Sequence, residues 1–276
     1  MRKFFFFLSI CALAPAPTFG GQVDTLHIFS PSMYKNIGCL VVTPDSYDAA
    51  GAPYPVLYLL HGYSGDYAGW LNDAPQLQAH ADTYGMLIVC PDGGFDSWYF
   101  DSPVDSSVRY ETHIARELIP LIDERYNTRA TRSGRAIAGL SMGGHGALYL
   151  AARNPGLFGA AGSMAGGLDL RPFRQNNWDL EGVLGAPDKH WANWESHSVI
   201  NLAPQLKSGS LAIIIDCGTG DFFLDVNRNM HAELLRNGTP HDYIERPGGH
   251  SGEYWGSAVD TQIVFFDKFF RRKTRR

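Results

Sequence analysis

The chain has 276 residues, 45% hydrophobic and 18% charged, with a formal net charge of −5. This balance supports a sizeable buried core and excludes a wholly disordered chain. The acid excess leaves no basic footprint for nucleic acid, and the closing run "RRKTRR" reads as a solvated helix end.

The N-terminus, "MRKFFFFLSICALAPAPTFGGQV", sets Arg2 and Lys3 before an apolar stretch and a run of small residues. That order predicts a secretory signal over residues 1–20, cut near Gly20 and too short to span a bilayer. The mature chain, 21–276, is then an exported single domain, periplasmic or secreted. A lipid anchor on Cys11 is the rival reading, and Ile10 before it fits poorly. Beyond the leader stand Cys39, Cys90 and Cys217, an odd count that rules out complete internal pairing. Cys90 and Cys217 lie in apolar runs and read as small buried hydrophobes. No C-x-x-C or H-E-x-x-H spacing occurs, so neither a metal nor a cofactor is expected.

Along the chain, "VDTLHIFSPSM" and "IGCLVVTPDSY" alternate as two strands joined by a Pro/Ser turn. "PVLYLLHG", "MLIVCPDGG", "RAIAGLS", "LFGAAGSMAGG" and "LAIIIDCGTGD" are continuous apolar runs that end in Gly or Asp. Central parallel strands covered on both faces look like this. Helical patterns at 107–126, 144–153, 226–237 and 254–271 alternate with them and predict one open, mostly parallel sheet with helices on both sides. The stretch 168–207 has no clean period but concentrates Trp178, Trp191 and Trp194. It reads as an excursion above the sheet.

The residues that carry chemistry fall at predicted strand ends, where such sheets bind ligands. "IAGLSMGGHGAL" places Ser141 between a strand at 135–138 and a helix beginning near Gly143, the context a G-x-S-x-G elbow requires. A side chain two residues to either side of the serine would collide with the crossing strand and helix, so Gly139 and Gly143 are bare. The hydroxyl needs a base. Of ten histidines, His250 follows "HDYIERPGG" and precedes the final helix, which makes it the candidate. His61, His145, His190 and His197 read as structural.

The acid belongs in the loop after the strand at 211–216, where Asp216, Asp221 and Asp225 compete. Asp221, closing "CGTGD", is favoured, because Asp225 suits the N-terminus of the next helix. The two oxyanion donors are expected from the backbone amides of Met142 and, after Gly62 in "HGYSG", of Tyr63. The Met142 side chain is expected to be a replaceable lid on the pocket.

Together, "YLLHGYSGD", "PDGGFDSWYFDSP", "YETHIARELIPLIDERY", "RAIAGLSMGGHGAL", "DCGTGDFFLDVNR" and "PGGHSGEYW" resemble the esterase D family of α/β-hydrolases. That family includes tributyrin, acetyl and feruloyl esterases, S-formylglutathione hydrolases and mycolyltransferases. The resemblance implies Ser141 as nucleophile, Asp221 as acid and His250 as base, with Tyr63 and Met142 as oxyanion amides. It also implies that "GFDSWYFDSP" lines the acyl side; Trp98 is either a pocket wall or part of the core. The excursion's aromatics either stack on substrate or plug it down.

The expected function is an exported serine carboxylesterase acting on a small ester or an acylated carbohydrate, without membrane span and with homo-oligomerisation left open. Acyl transfer of the mycolyltransferase type, an S-formylglutathione hydrolase-like thioesterase and a carbohydrate-binding protein on a hydrolase fold are the alternatives.

Overall fold

A computed structural model describes residues 22–175, 178–206 and 211–273; the expected leader lies outside them. Eight strands form one sheet: β1 Gln22–Ser30, β2 Lys35–Thr43, β3 Val56–Leu60, β4 Leu87–Pro91, β5 Arg135–Leu140, β6 Ala160–Met164, β7 Ala212–Gly218 and β8 Asp242–Arg246. Their order is β1-β2-β4-β3-β5-β6-β7-β8. The β1–β2 and β2–β4 pairs are antiparallel, and every later pair is parallel. All the apolar runs singled out above are strands.

The pleat divides the core. In β3, Val56, Tyr58 and Leu60 point to one face, and Leu57 and Leu59 to the other. The longer helices are α1 Leu77–Tyr84, α2 Ile119–Arg125, α3 Met142–Arg153, α4 Pro187–His197, α5 Leu224–Arg236 and α6 Gly252–Lys273. The first face is covered by α3 and α5 with the excursion, the second by α1 and α6. In α6, Tyr254, Ala258, Val259, Ile263, Phe266 and Phe270 recur at three- and four-residue steps, the stripe of a helix laid on a sheet. No helix among the described residues is long and apolar enough to cross a membrane.

The structure departs from the expected helices in two ways. The pattern at 107–126 becomes Tyr110–Thr112, a π-helical turn His113–Leu118 and then α2. Pro120 has no N–H to return to the preceding turn, and the wider π turn accommodates that loss. Of the longer helices, α1 and α4 were not foreseen. Only Leu77 and Ala81 of α1 are buried, and only Trp194 of α4, which also breaks helical geometry at His190. So few apolar positions give no readable period.

Cys39, Cys90 and Cys217 are free and buried. Burial pushes all three thiols above their ordinary range, as suits inert packing residues.

Candidate active site

Ser141 lies between β5 and α3 with φ 52° and ψ −116°, a left-handed backbone that L-residues avoid. The tight crossing imposes it. A Cβ on Gly139 would lie 2.5 Å from the Gly143 carbonyl carbon, and one on Gly143 would strike the carbonyls of Leu60 and His61. The Ser141 amide donates to Met164 O in β6 at 2.9 Å, which pins the elbow to the sheet.

Two further loops reach the hydroxyl. His250, on the loop between β8 and α6, places Nε2 2.9 Å from Ser141 Oγ. Its Nδ1 lies 2.8 Å from Asp221 Oδ2, in the loop after β7. The Asp221 side chain is fully buried, and its other oxygen accepts the Phe223 amide at 2.8 Å. With Nδ1–H committed to Asp221, Nε2 presents a lone pair to the serine proton. Asp225 is exposed in the first turn of α5, consistent with its expected role at a helix start. Asp216 is wholly buried and held by Arg246 and the Tyr254 hydroxyl. These two residues flank the His250 loop, so Asp216 anchors it on both sides. A lone aspartate inside the apolar run "AIIIDCG" was the available signal for this anchor.

The amide of Met142 is the first of α3, a position with no intrahelical acceptor. Gly62 packs closely on the elbow: a Cβ there would lie 3.3 Å from the Ser141 Cβ. Next to it, the Ser64 amide donates to Phe95 O at 2.7 Å, while Tyr63 carries no backbone hydrogen bond among the described residues. His61 braces this loop. Gly93 N–H donates to its Nε2 at 2.7 Å, and its Nδ1–H donates to Gly62 O at 2.8 Å. Both bonds together require the neutral ring, which agrees with a structural role for His61.

An open cavity of about 300 Å³ lies over Ser141, lined by the Tyr63 loop, Trp70, Asp73, Trp178, Phe222, His250 and Trp255. Phe222 packs on the His250 ring with centroids 4.2 Å apart, and Trp255 meets it edge-on at 4.8 Å.

Two readings need correction, the pocket-wall reading of Trp98 and the Met142 lid. Trp98 does not line this cavity. It is only 1% exposed, packs edge-on against His145 and lies behind Trp178, whose carbonyl accepts its indole N–H. The Met142 side chain is not a lid either: it is fully buried, and its sulfur accepts the Trp98 amide at 3.3 Å. In both cases the stretch 97–100 folds beneath the rim rather than over it.

The excursion splits its three tryptophans. Trp178 lines the cavity and stacks on Phe222, Trp194 is fully buried with its N–H on Gly185 O at 2.9 Å, and Trp191 is 38% exposed. Phe222, Trp255 and Asp73 at the cavity wall went unnoticed in the sequence. Among the described residues no group of three or more His, Cys, Asp or Glu could hold a metal.

A family model described as "Putative esterase" matches residues 30–266. Esterase sequences of Mycobacterium tuberculosis are 33% identical over 242 residues, 78% of this chain, and the chain spans about half (52%) of their length. An acetyl esterase of Caldicellulosiruptor saccharolyticus is 24% identical over 267 residues, covering 88% of this chain and 97% of that protein. The solved structure of a ferulic acid esterase matches with a TM-score of 0.77 at 29% identity, covering 91% of this chain and 100% of that one. The chain therefore belongs to the putative esterase family and has its α/β-hydrolase fold.

Proposed function

We propose that the protein is a serine carboxylesterase working through an acyl-enzyme. The observation that carries this reading is the continuous relay from Ser141 Oγ through His250 to Asp221, with both links at 2.9 Å or less. Ser141 attacks the ester carbonyl while His250 Nε2 takes its proton. The alkoxide leaves with that proton, and water then repeats the sequence on the acyl-enzyme. Asp221 holds the imidazole tautomer and stabilises the imidazolium without taking the proton itself. The Tyr63 and Met142 amides receive the developing oxyanion, each donor of this kind being worth roughly 3 kcal/mol in the transition state. None of these steps calls on a cofactor.

The substrate class proposed is an acetyl or other short acyl ester, or a feruloyl-type ester, carried on a carbohydrate. The relatives' names support the acyl range, and the aromatic wall of Trp178, Phe222 and Trp255 suits planar or ring-shaped groups. With the leader-like N-terminus, the proposed location is outside the cytoplasm.

Rates on acetyl, butyryl and feruloyl esters, measured side by side for the wild type and Ser141→Ala, test the reading. Wild-type turnover of at least one ester is expected, with a loss of roughly 10⁵- to 10⁶-fold in kcat for the variant. A Ser141→Ala protein that keeps most of its turnover contradicts it.

A further inference from the structure

Among the residues that line the cavity, Asp73 is the one carboxylate. It closes the short helix Gly69–Asp73, and burial pushes its carboxyl above the usual range. Yet among the described residues that carboxyl has no hydrogen-bond or ion-pair partner. The three carboxylates that are buried among the described residues are all engaged: Asp169 by Arg171, Asp216 by Arg246 and Tyr254, and Asp221 by His250. Asp73 is partly withdrawn from water, and an unpaired carboxylate in a cleft is free to take a ligand's donors.

Its position says which part of the ligand. Gly252, two residues beyond His250, abuts it: a Cβ there would lie 2.5 Å from Asp73 Oδ1. Asp73 therefore stands against the segment that carries the imidazole. The leaving oxygen of an ester must come within hydrogen-bond reach of His250 Nε2 to collect its proton. Asp73 lines the same cavity as His250, in the space open to the alcohol fragment attached to that oxygen.

An ionised carboxylate is an acceptor with two oxygens and no hydrogen to give, so it pairs with groups that donate. Adjacent hydroxyls on one ring offer two donors at a spacing both oxygens can take. We propose that Asp73 is a specificity-determining residue that accepts hydrogen bonds from the hydroxyls of a polyol, sugar-like alcohol on the substrate. This rests on the esterase reading above. Esters of simple alcohols leave Asp73 solvated and gain nothing from it.

The test compares kcat/KM for p-nitrophenyl acetate, a monoacetylated methyl xyloside and acetylcholine in wild type, Asp73→Asn and Asp73→Ala. Both variants are expected to lose roughly 10- to 100-fold on the sugar ester and to stay within about twofold on p-nitrophenyl acetate. An unchanged rate on the sugar ester, or equal losses on all three esters in both variants, overturns the proposal. A larger loss on acetylcholine than on the sugar ester also overturns it, by assigning Asp73 to cation recognition. Absence of turnover on every ester in the wild type counts against the esterase reading instead. Asp73 is then read by calorimetry in the Ser141→Ala background, where adding Asp73→Asn is expected to weaken binding of the acetylated xyloside about 10-fold or more; unchanged binding overturns the proposal.

Discussion

The rim formed by the ends of β5, β7 and β8 and the excursion that begins at Leu168 meet at the same cavity and are held by different means. The rim is held by backbone constraint and short polar links: an elbow forced to positive φ, a buried carboxylate on an imidazole, and Asp216 anchoring the base loop through Arg246 and Tyr254. The excursion is held by aromatic packing, with Trp194 sunk into the core and Trp178 laid on Phe222. Polar links at the rim fix atoms to the tolerance that chemistry needs. Ring packing fills space and excludes water but leaves the shape of the wall open to variation. On the proposed reading, rate resides in the rim, and fit together with part of the stability resides in the excursion.

Substitutions that separate the two regions sharpen this contrast. Asp221→Asn should lower kcat by about 10⁴-fold, since an amide no longer enforces the imidazole tautomer, whereas Asp225→Asn should stay within about twofold. Steady-state kinetics on one ester decides; equal effects would erase the distinction between the buried and the exposed carboxylate.

Trp194→Ala should leave the relay geometry alone and cost about 3–5 kcal/mol of stability, because it empties a fully buried indole site and frees the Gly185 carbonyl. Urea titration followed by circular dichroism measures this. A loss below about 1 kcal/mol would show that the excursion is not anchored there.

Beneath both regions lies His145, fully buried, with Nε2–H donating to His197 O at 2.8 Å and Nδ1 without a partner. Burial pushes its pKa down to about 3, from 6.5 for an exposed ring. The unfolded chain thus binds a proton more readily than the folded one between these values. The stability contributed by the neutral ring is complete above about pH 6.5 and falls as pH drops toward 3. At pH 5 the loss should approach about 2 kcal/mol relative to pH 7.5, and His145→Gln should remove that part of the slope. Parallel pH profiles for variant and wild type would contradict it.

The smallest effect expected is at the wall. Trp178→Ala should raise KM for aromatic acyl esters by roughly 3- to 10-fold, with kcat for p-nitrophenyl acetate nearly unchanged, from lost ring contact of about 1 kcal/mol. A fall in kcat for both esters would instead tie Trp178 to the relay.

The same contrast explains what could be read from the chain alone. β3 to β7 were legible because a strand buried on both faces must be apolar throughout and must break into Gly or Asp where it leaves the sheet. Ser141, Asp221 and His250 were legible because each sits at such a break, and because Gly139 and Gly143 have a steric reason to be bare. Packing that depends on distant partners left no such mark. Trp98 stands in a loop that resembles a pocket wall, yet His145 and the Met142 sulfur draw it inward. Trp178 and Trp194 are alike in sequence context, and only the folded chain assigns one to the cavity and the other to the core. Asp73 ends a five-residue helix with one buried side chain, too little for any period to announce.

The account turns on Ser141 being made nucleophilic by His250. Reaction with a fluorophosphonate, followed by peptide mass spectrometry on wild type and His250→Ala, tests this most directly. The account predicts one stoichiometric adduct on Ser141 in the wild type and labelling slowed by several orders of magnitude in the variant. An unlabelled wild type, or equally fast labelling in both proteins, would contradict it.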